Sequence, residues 1–399
     1  MTGLDATPAV AITGMGILTP LGDALEPLET ALREGRVAVE PAADLDGAPA
    51  ARIADFDATR YANVRGLRLY NRPTRLGICT SRLALAQAGL ESGLAPEDLG
   101  VVVASTFGHL ETLLEYDRSV VSAGIARTNP ALMPLAIPSA PGAAVALSFA
   151  AKAFSITLAD AGASGLDALG LGARLVATGR ARAAIVVGFF SVVPELVLSA
   201  SRAGQLAPAG DLRAFDRSRR GSAYGEAGVA FVIERLDQAR ERGITPLALV
   251  SGQASAFSTG PEGLAAALTR ACEGALAGAG IAAADVGLAV SGADGSIAGD
   301  RAEAQALVAA LGASAGRTPV TAPAGALGDS VDAKGLVCAA VAIGAMRSGV
   351  APPVSGLVDP EVPGLRYVTS ASPIDARHAL VTATSVSGGA SAVVLSRPA

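Results

Sequence analysis

The chain has 399 residues, 51% of them apolar and only 4% aromatic, with no tryptophan. A length of this order allows two or three ordinary domains or one large duplicated fold, and abundant Gly and Ala predict close layering of helices and strands. A formal charge of −5 excludes nucleic acid as the principal partner, and three separated cysteines, Cys79, Cys272 and Cys338, exclude a disulfide framework or a zinc pattern and fit a reducing cytoplasm.

The N-terminal MTGLDATPAVAITGMG has no Lys or Arg ahead of its apolar stretch, unlike a secretory leader. Within it, residues 9–16 read as a buried strand, and LEPLETALREG follows as a helix. The spaced glycines of GMGILTPLG lack the phosphate-loop pattern and are not read as a nucleotide site. LGVVVAST at 99–106 is a second buried strand, and HLETLLEYDRSVVSAG a helix. Residues 131–151 form an uncharged run long enough to span a bilayer, but Pro134, Pro138, Pro141 and Gly142 break its first half. The expectation there is a buried loop leading into a short core helix. FSITLA is a further strand, leading through DAGAS into the helix GLDALGLGARLVATG, and AAIVVGFF at 183–190 is another. Apolar runs of this length, alternating with helices, predict mainly parallel sheets covered on both faces.

Residues 83–105 resemble residues 269–291: Gly93 and Asp98 match Gly280 and Asp285 at the same interval. A repeat of this spacing predicts two similar halves, not a solenoid. They divide as 1–245 and 246–399.

VAITGMGILTPLG (10–22), RAFDRSRRGSAYGEAGVAFVIERLDQARERG (213–243), GDRAEAQAL (299–307) and TSVSGGASAVVLS (384–396) resemble, in order, segments of the β-ketoacyl-acyl-carrier-protein synthases. The resemblance implies a thiolase-like, five-layer α-β-α-β-α duplicated fold. Condensing members use a cysteine and two histidines, because thioester exchange wants an ionisable thiol and the enolate of a decarboxylated malonyl unit wants hydrogen-bond donors. Here the cysteine position is Gly162. The first histidine position falls on Asp294 or Gly292. The second falls in APAGALGDS, at Ala326, and the resemblance puts Ala322 near the place of the lysine that usually precedes it. The only histidines, His109 and His378, lie outside these motifs, and the three cysteines sit in Ala-rich helices as packing residues.

The pattern is similar to the chain length factor of type II polyketide synthases. That resemblance implies a catalytically inactive subunit with no catalytic residue, no metal and no cofactor of its own. Its partners would be an active ketosynthase, in a heterodimer, and an acyl carrier protein that delivers the phosphopantetheine-bound chain to that partner. Membrane and nucleic acid are not expected partners, and the location expected is cytoplasmic. The product class, aromatic or polyene, stays open. Thr112, Leu113, Tyr116, Leu132 and Met133 are the expected wall of the acyl tunnel, and Arg65, Arg68 and Arg72 the expected carrier-docking residues. Arg213, Arg217, Arg219 and Arg220 form a second basic stretch. Two other readings remain at this stage. One is a stand-alone acyl-thioester enzyme using Asp160 or Ser164, with Asp294 paired to Asp160. The other is a carrier-binding protein without catalysis.

Overall fold

A computed structural model describes residues 8–208 and 211–398 of the chain. The first strand, β1 (Val10–Leu18), is buried at all nine positions, which explains a sequence apolar except for Thr13, whose hydroxyl donates to Glu234 at 2.7 Å. Ten further strands join it: β2 (Leu99–Ala104), β3 (Phe154–Leu158), β4 (Ala183–Phe190), β5 (Ala227–Arg235), β6 (Ala248–Phe257), β7 (Val286–Val290), β8 (Pro319–Thr321), β9 (Arg366–Tyr367), β10 (His378–Thr384) and β11 (Gly389–Ser396). Their order across the sheet is β9-β8-β7-β10-β11-β6-β1-β5-β4-β2-β3.

The order repeats about its centre. Outward from the antiparallel β1–β6 pair, each half runs through two antiparallel neighbours and then into parallel ones. The sheet is thus mixed, not mainly parallel as the apolar runs suggest. Strands buried on both faces lose their polar alternation whichever way their neighbours run, so apolar continuity carries no information about direction.

The helices complete five layers. Helices α1 (Arg72–Gln87) and α3 (Ala140–Ser148) cover the outer face of the first half. Helices α5 (Leu264–Ala279) and α6 (Ile297–Leu311) cover the outer face of the second. Between the inner faces lie α4 (Ser164–Ala177) and α7 (Lys334–Ser348), packed with residues of both half-sheets in one core. Small residues permit that middle layer. A Cβ on Gly335 would stand 2.7 Å from Leu166 Cγ, and one on Gly165 would stand 3.1 Å from the Asp332 carbonyl oxygen.

The segments matched by sequence adopt matching structure before β2 and β7. Gly93 and Gly280 both have positive φ, and each is followed by one 3-10 turn, Pro96–Asp98 or Ala283–Asp285. The helices differ: α1 stops at Gln87, whereas α5 runs up to Gly280 itself.

Helix α2 (Leu110–Ala123) departs from the layers, with Thr112 its one buried residue. The segment after it is not a buried loop. Val121, in the last turn of α2, and Ile125, Met133 and Ile137 beyond it are 88%, 75%, 50% and 42% exposed, and Ala136 is the one buried position between α2 and α3. Among the described residues no helix is long and apolar enough to cross a membrane.

Candidate functional site

β3 ends at the corner Asp160–Ala163, a single turn that opens α4. Ala161 has φ +40°, a left-handed conformation unusual for alanine. Its N–H donates to Thr106 Oγ1 at 2.9 Å, and that hydroxyl donates to Asp332 Oδ1 at 2.6 Å. At Gly162 there is no room for a side chain: a Cβ there would overlap the Thr384 carbonyl oxygen and stand 3.4 Å from Lys334 Cε. Ser164 is fully buried, and its Oγ accepts from the Asp160 N–H at 2.6 Å. Asp160 itself accepts from the Ser387 hydroxyl. Among the described residues no hydrogen bond or ion pair joins Asp160 to Asp294.

The Lys334 stem passes between Gly162 and Gly292, where a Cβ would stand 3.1 Å from its Cδ. Its Nζ lies 2.6 Å from Asp294 Oδ2 and 3.1 Å from Asp329 Oδ1, and the Lys334 and Asp294 side chains are 7% and 9% exposed. Burial opposes ionisation of Asp294, but the ammonium and its hydrogen bond outweigh it and hold the carboxyl below its ordinary value. Burial likewise opposes the ammonium, and Asp294 with Asp329 holds it well above the ordinary lysine value. Asp329 is held high, chiefly by burial.

Asp294, and not Gly292, thus supplies the polar group of its loop. Ala326 is not at this cluster's polar heart. It lies in the four-residue helix Ala324–Leu327 within the central apolar core, and its carbonyl accepts from the Ala38 N–H at 2.8 Å. The polar residue that the same turn brings to the site is Asp329, three positions on.

Lys334, Asp329 and Asp332 are absent from the sequence-based site. One signal could have found two of them: DAGASGL at 160–166 and SVDAKGL at 330–336 align as a second repeat. In both, a non-glycine residue of positive φ, Ala161 or Val331, stands two positions before an Ala and ahead of a central helix. Asp332 therefore answers to Gly162, and Lys334 to Ser164.

A supporting shell surrounds the cluster. Asp300 accepts backbone N–H bonds from Phe215 at 2.7 Å and Asp294 at 2.9 Å, so the 213–243 and 299–307 segments together hold the Asp294 loop. Burial, then the Asp294 charge, push the Asp300 carboxyl up to about 7. Glu303 accepts from Ser291 Oγ at 2.7 Å and Thr382 Oγ1 at 2.6 Å. The Cys338 thiol donates to the Ser291 carbonyl at 3.4 Å, on this shell and not on the ion cluster. Burial raises all three cysteines, Cys79 to about 12, so they stay protonated at neutral pH. His378 Nδ1 contacts Ser396 Oγ at 2.8 Å, and His109 precedes α2. An ammonium held between carboxylates, with no thiol or imidazole, is poorly suited to thioester exchange.

Thr112 lines a narrow crevice with Leu135, Ala140 and Pro141. Leu113, Tyr116 and Leu132 are half-buried on the projecting α2 segment, and Met133 is exposed. Arg65 and Arg68 are exposed, whereas Arg72 is half-buried. Its guanidinium grips Glu226 with bonds of 2.9 and 2.7 Å, donates to the Ile53 carbonyl at 2.8 Å and lies over the Phe56 ring. In the second basic stretch, Arg219 is buried against Glu361 at 2.5 Å, and Arg213 and Arg217 pair with Asp211 and Asp359.

The family model for the β-ketoacyl synthase N-terminal domain matches residues 7–239, and that for the C-terminal domain matches 244–357. The tetracenomycin polyketide synthase ketoacyl synthase beta subunit of Streptomyces glaucescens is 30% identical, over 99% of this chain and 100% of its own length. The alpha subunit of the same synthase is also 30% identical, over 98% of each. Overall identity therefore does not separate the two subunit types. The ishigamide ketosynthase/chain length factor shares the fold, with a TM-score of 0.89 at 23% identity, over 99% of this chain and 100% of that one. With its thiolase-like layers and both matched domains, the chain belongs to the β-ketoacyl synthase family.

Proposed function

We propose that this chain is a non-condensing subunit of the chain-length-factor type. It would pair with a ketosynthase that carries the thiol and imidazoles, and wall the tunnel in which that partner extends a polyketide. The observation that supports this reading is the occupied corner. Gly162 has no room for a nucleophile, and the Lys334 ammonium lies between Asp294 and Asp329 in the loops where the resemblance expects imidazole donors. Ser164 offers no substitute, being buried and accepting from a backbone N–H. The acyl chain would arrive on the phosphopantetheine of a carrier protein and be held by the partner's cysteine. The exposed apolar α2 segment supplies a surface for such a partner.

The test is acyl loading. The isolated chain, given malonyl- and acetyl-carrier protein, should gain no acyl mass and release no carbon dioxide. Adding the partner ketosynthase should yield both. A Gly162→Cys variant should remain inactive alone. Sustained decarboxylation by the isolated chain, or an acyl adduct on Asp160 or Ser164 formed at the turnover rate, would overturn the proposal.

A further inference from the structure

We propose that the cleft at the amino ends of β7 and β8 is a binding site for a compact phosphate-type oxyanion. The cleft measures ≈ 260 Å³ and is lined by Ala284, Ser314, Arg317, Thr318, Arg366 and Asp375, among others. Pockets for drug-sized ligands span about 300–1,000 Å³, so this one suits a small ligand.

Its charge is unbalanced. Among the described residues neither Arg317 nor Arg366 has a carboxylate within ion-pair distance, and both are exposed. The one acid on the lining, Asp375, stands 3.6 Å from Arg397. The Arg366 side chain also reaches the backbone of Arg317. Arg366 Nη1 donates to the Arg317 carbonyl at 3.2 Å, and Arg317 Nη2 reaches the Ser314 hydroxyl at 3.5 Å. Two guanidinium groups on the lining of one cleft would together favour a doubly charged oxyanion, which can accept forked hydrogen bonds from each.

The duplication supplies an independent comparison. In the first half, Glu97 lies 3.4 Å from Lys152, just ahead of β2 and β3. The repeat that matches Asp98 to Asp285 puts Ala284 in the place of Glu97. The second half thus keeps cations at this end and lacks the acid that answers them in the first. The cleft lies at the opposite end of the parallel strands from Ser291 and Ala322, which follow β7 and β8 on the Asp294 side. Its ligand would not touch the buried ion cluster.

Calorimetric titration of the intact chain with inorganic phosphate, and separately with pyrophosphate, tests the site. Binding of at least one should be measurable. Arg317→Ala and Arg366→Ala should each weaken it about tenfold or more, and Lys152→Ala should leave it unchanged. Ala284 is exposed, so Ala284→Glu should fold, restore the missing acid and abolish binding. Thermal melts confirm that each variant is folded. Preference for pyrophosphate would assign a phosphoanhydride ligand, and equal binding a single phosphate group. No heat with either anion, or undiminished binding in folded Ala284→Glu or the double arginine variant, would overturn the proposal.

Discussion

Lys334→Met would leave Asp294 and Asp329 buried together without their counter-ion, in a corner where Gly162 and Gly292 provide space for the lysine stem and no polar replacement. Breaking a buried pair from one side costs about 3–5 kcal/mol, much of it the stranded charge. That cost should depend on pH. With the ammonium present, Asp294 titrates below its ordinary value, so the pair's stabilisation is present above the unfolded carboxyl pKa and fades as pH falls below it. Without the ammonium, burial raises both carboxyls, and protonation relieves the stranded charge as pH falls. Urea unfolding should therefore show Lys334→Met losing several kcal/mol at pH 8 and much less at pH 5. The triple variant Lys334→Met, Asp294→Asn, Asp329→Asn should recover most of the loss at pH 8. Equal stability of wild type and Lys334→Met at pH 8 would show that the triad does not hold the corner.

At the scale of elements, the projecting α2 and the segment after it stand apart. A helix with one buried residue gets little stability from its own fold, and exposed Val121, Ile125, Met133 and Ile137 lie along one segment. If this is the face that meets a ketosynthase, Ile125→Asp should weaken that association at least about tenfold, because a charge would be buried at an apolar contact. The melting temperature of the isolated chain should hardly change. Tyr116→Ala and Met133→Ala should lengthen the products, read by mass spectrometry. Unchanged association and unchanged product lengths together would remove this segment from the interface. The sequence showed α2 as a helix but not its exposure, since Leu113, Tyr116 and Val120 at helical spacing look the same whether they pack on a core or await a partner. The strands were legible for the opposite reason: β4 is apolar throughout, and β1 apart from Thr13, because both faces are covered. The corner was half legible. A missing cysteine can be read directly, but Lys334 was hidden because its ammonium meets Asp294 from 40 positions away. No local pattern marks such a contact, and only the repeated Ala-x-Gly-Leu ahead of α4 and α7 hints at it. Arg72 misled for a related reason. Its neighbours in sequence are basic, whereas Glu226, which consumes it, is 154 residues distant.

Across the whole molecule, the two halves are joined by more than apolar packing. Asp332, from the second half, accepts from the Thr106 N–H at 2.8 Å and the Thr106 hydroxyl at 2.6 Å, and Thr106 in turn holds the strained Ala161. Residues of the Gly162 corner, the end of β2 and the entry to α7 thus meet at one carboxyl. Burial pushes that carboxyl from 3.8 up to about 6, despite the hydrogen bonds that favour its charge. The folded state therefore binds more protons than the unfolded state between those two values. Stability should fall as pH rises through that window, the reverse of a salt-bridged aspartate. The ionisation cost at pH 8 is on the order of 3 kcal/mol, at about 1.4 kcal/mol per pH unit. Asp332→Asn imitates the neutral acid: its amide oxygen can keep accepting from the Thr106 N–H, and its NH2 group can donate to Thr106 Oγ1 once that hydroxyl, which donates in the structure, turns its proton away. Thermal melts from pH 3.5 to pH 8 should then show the wild type losing stability more steeply than Asp332→Asn, with the two nearly equal at pH 3.5 and about half of the difference already present at pH 5. Asp300, pushed in the same direction and present in both proteins, contributes a slope that cancels in the comparison. Parallel curves would mean that Asp332 is charged at every pH tested, and that the junction between the halves is an ionic one.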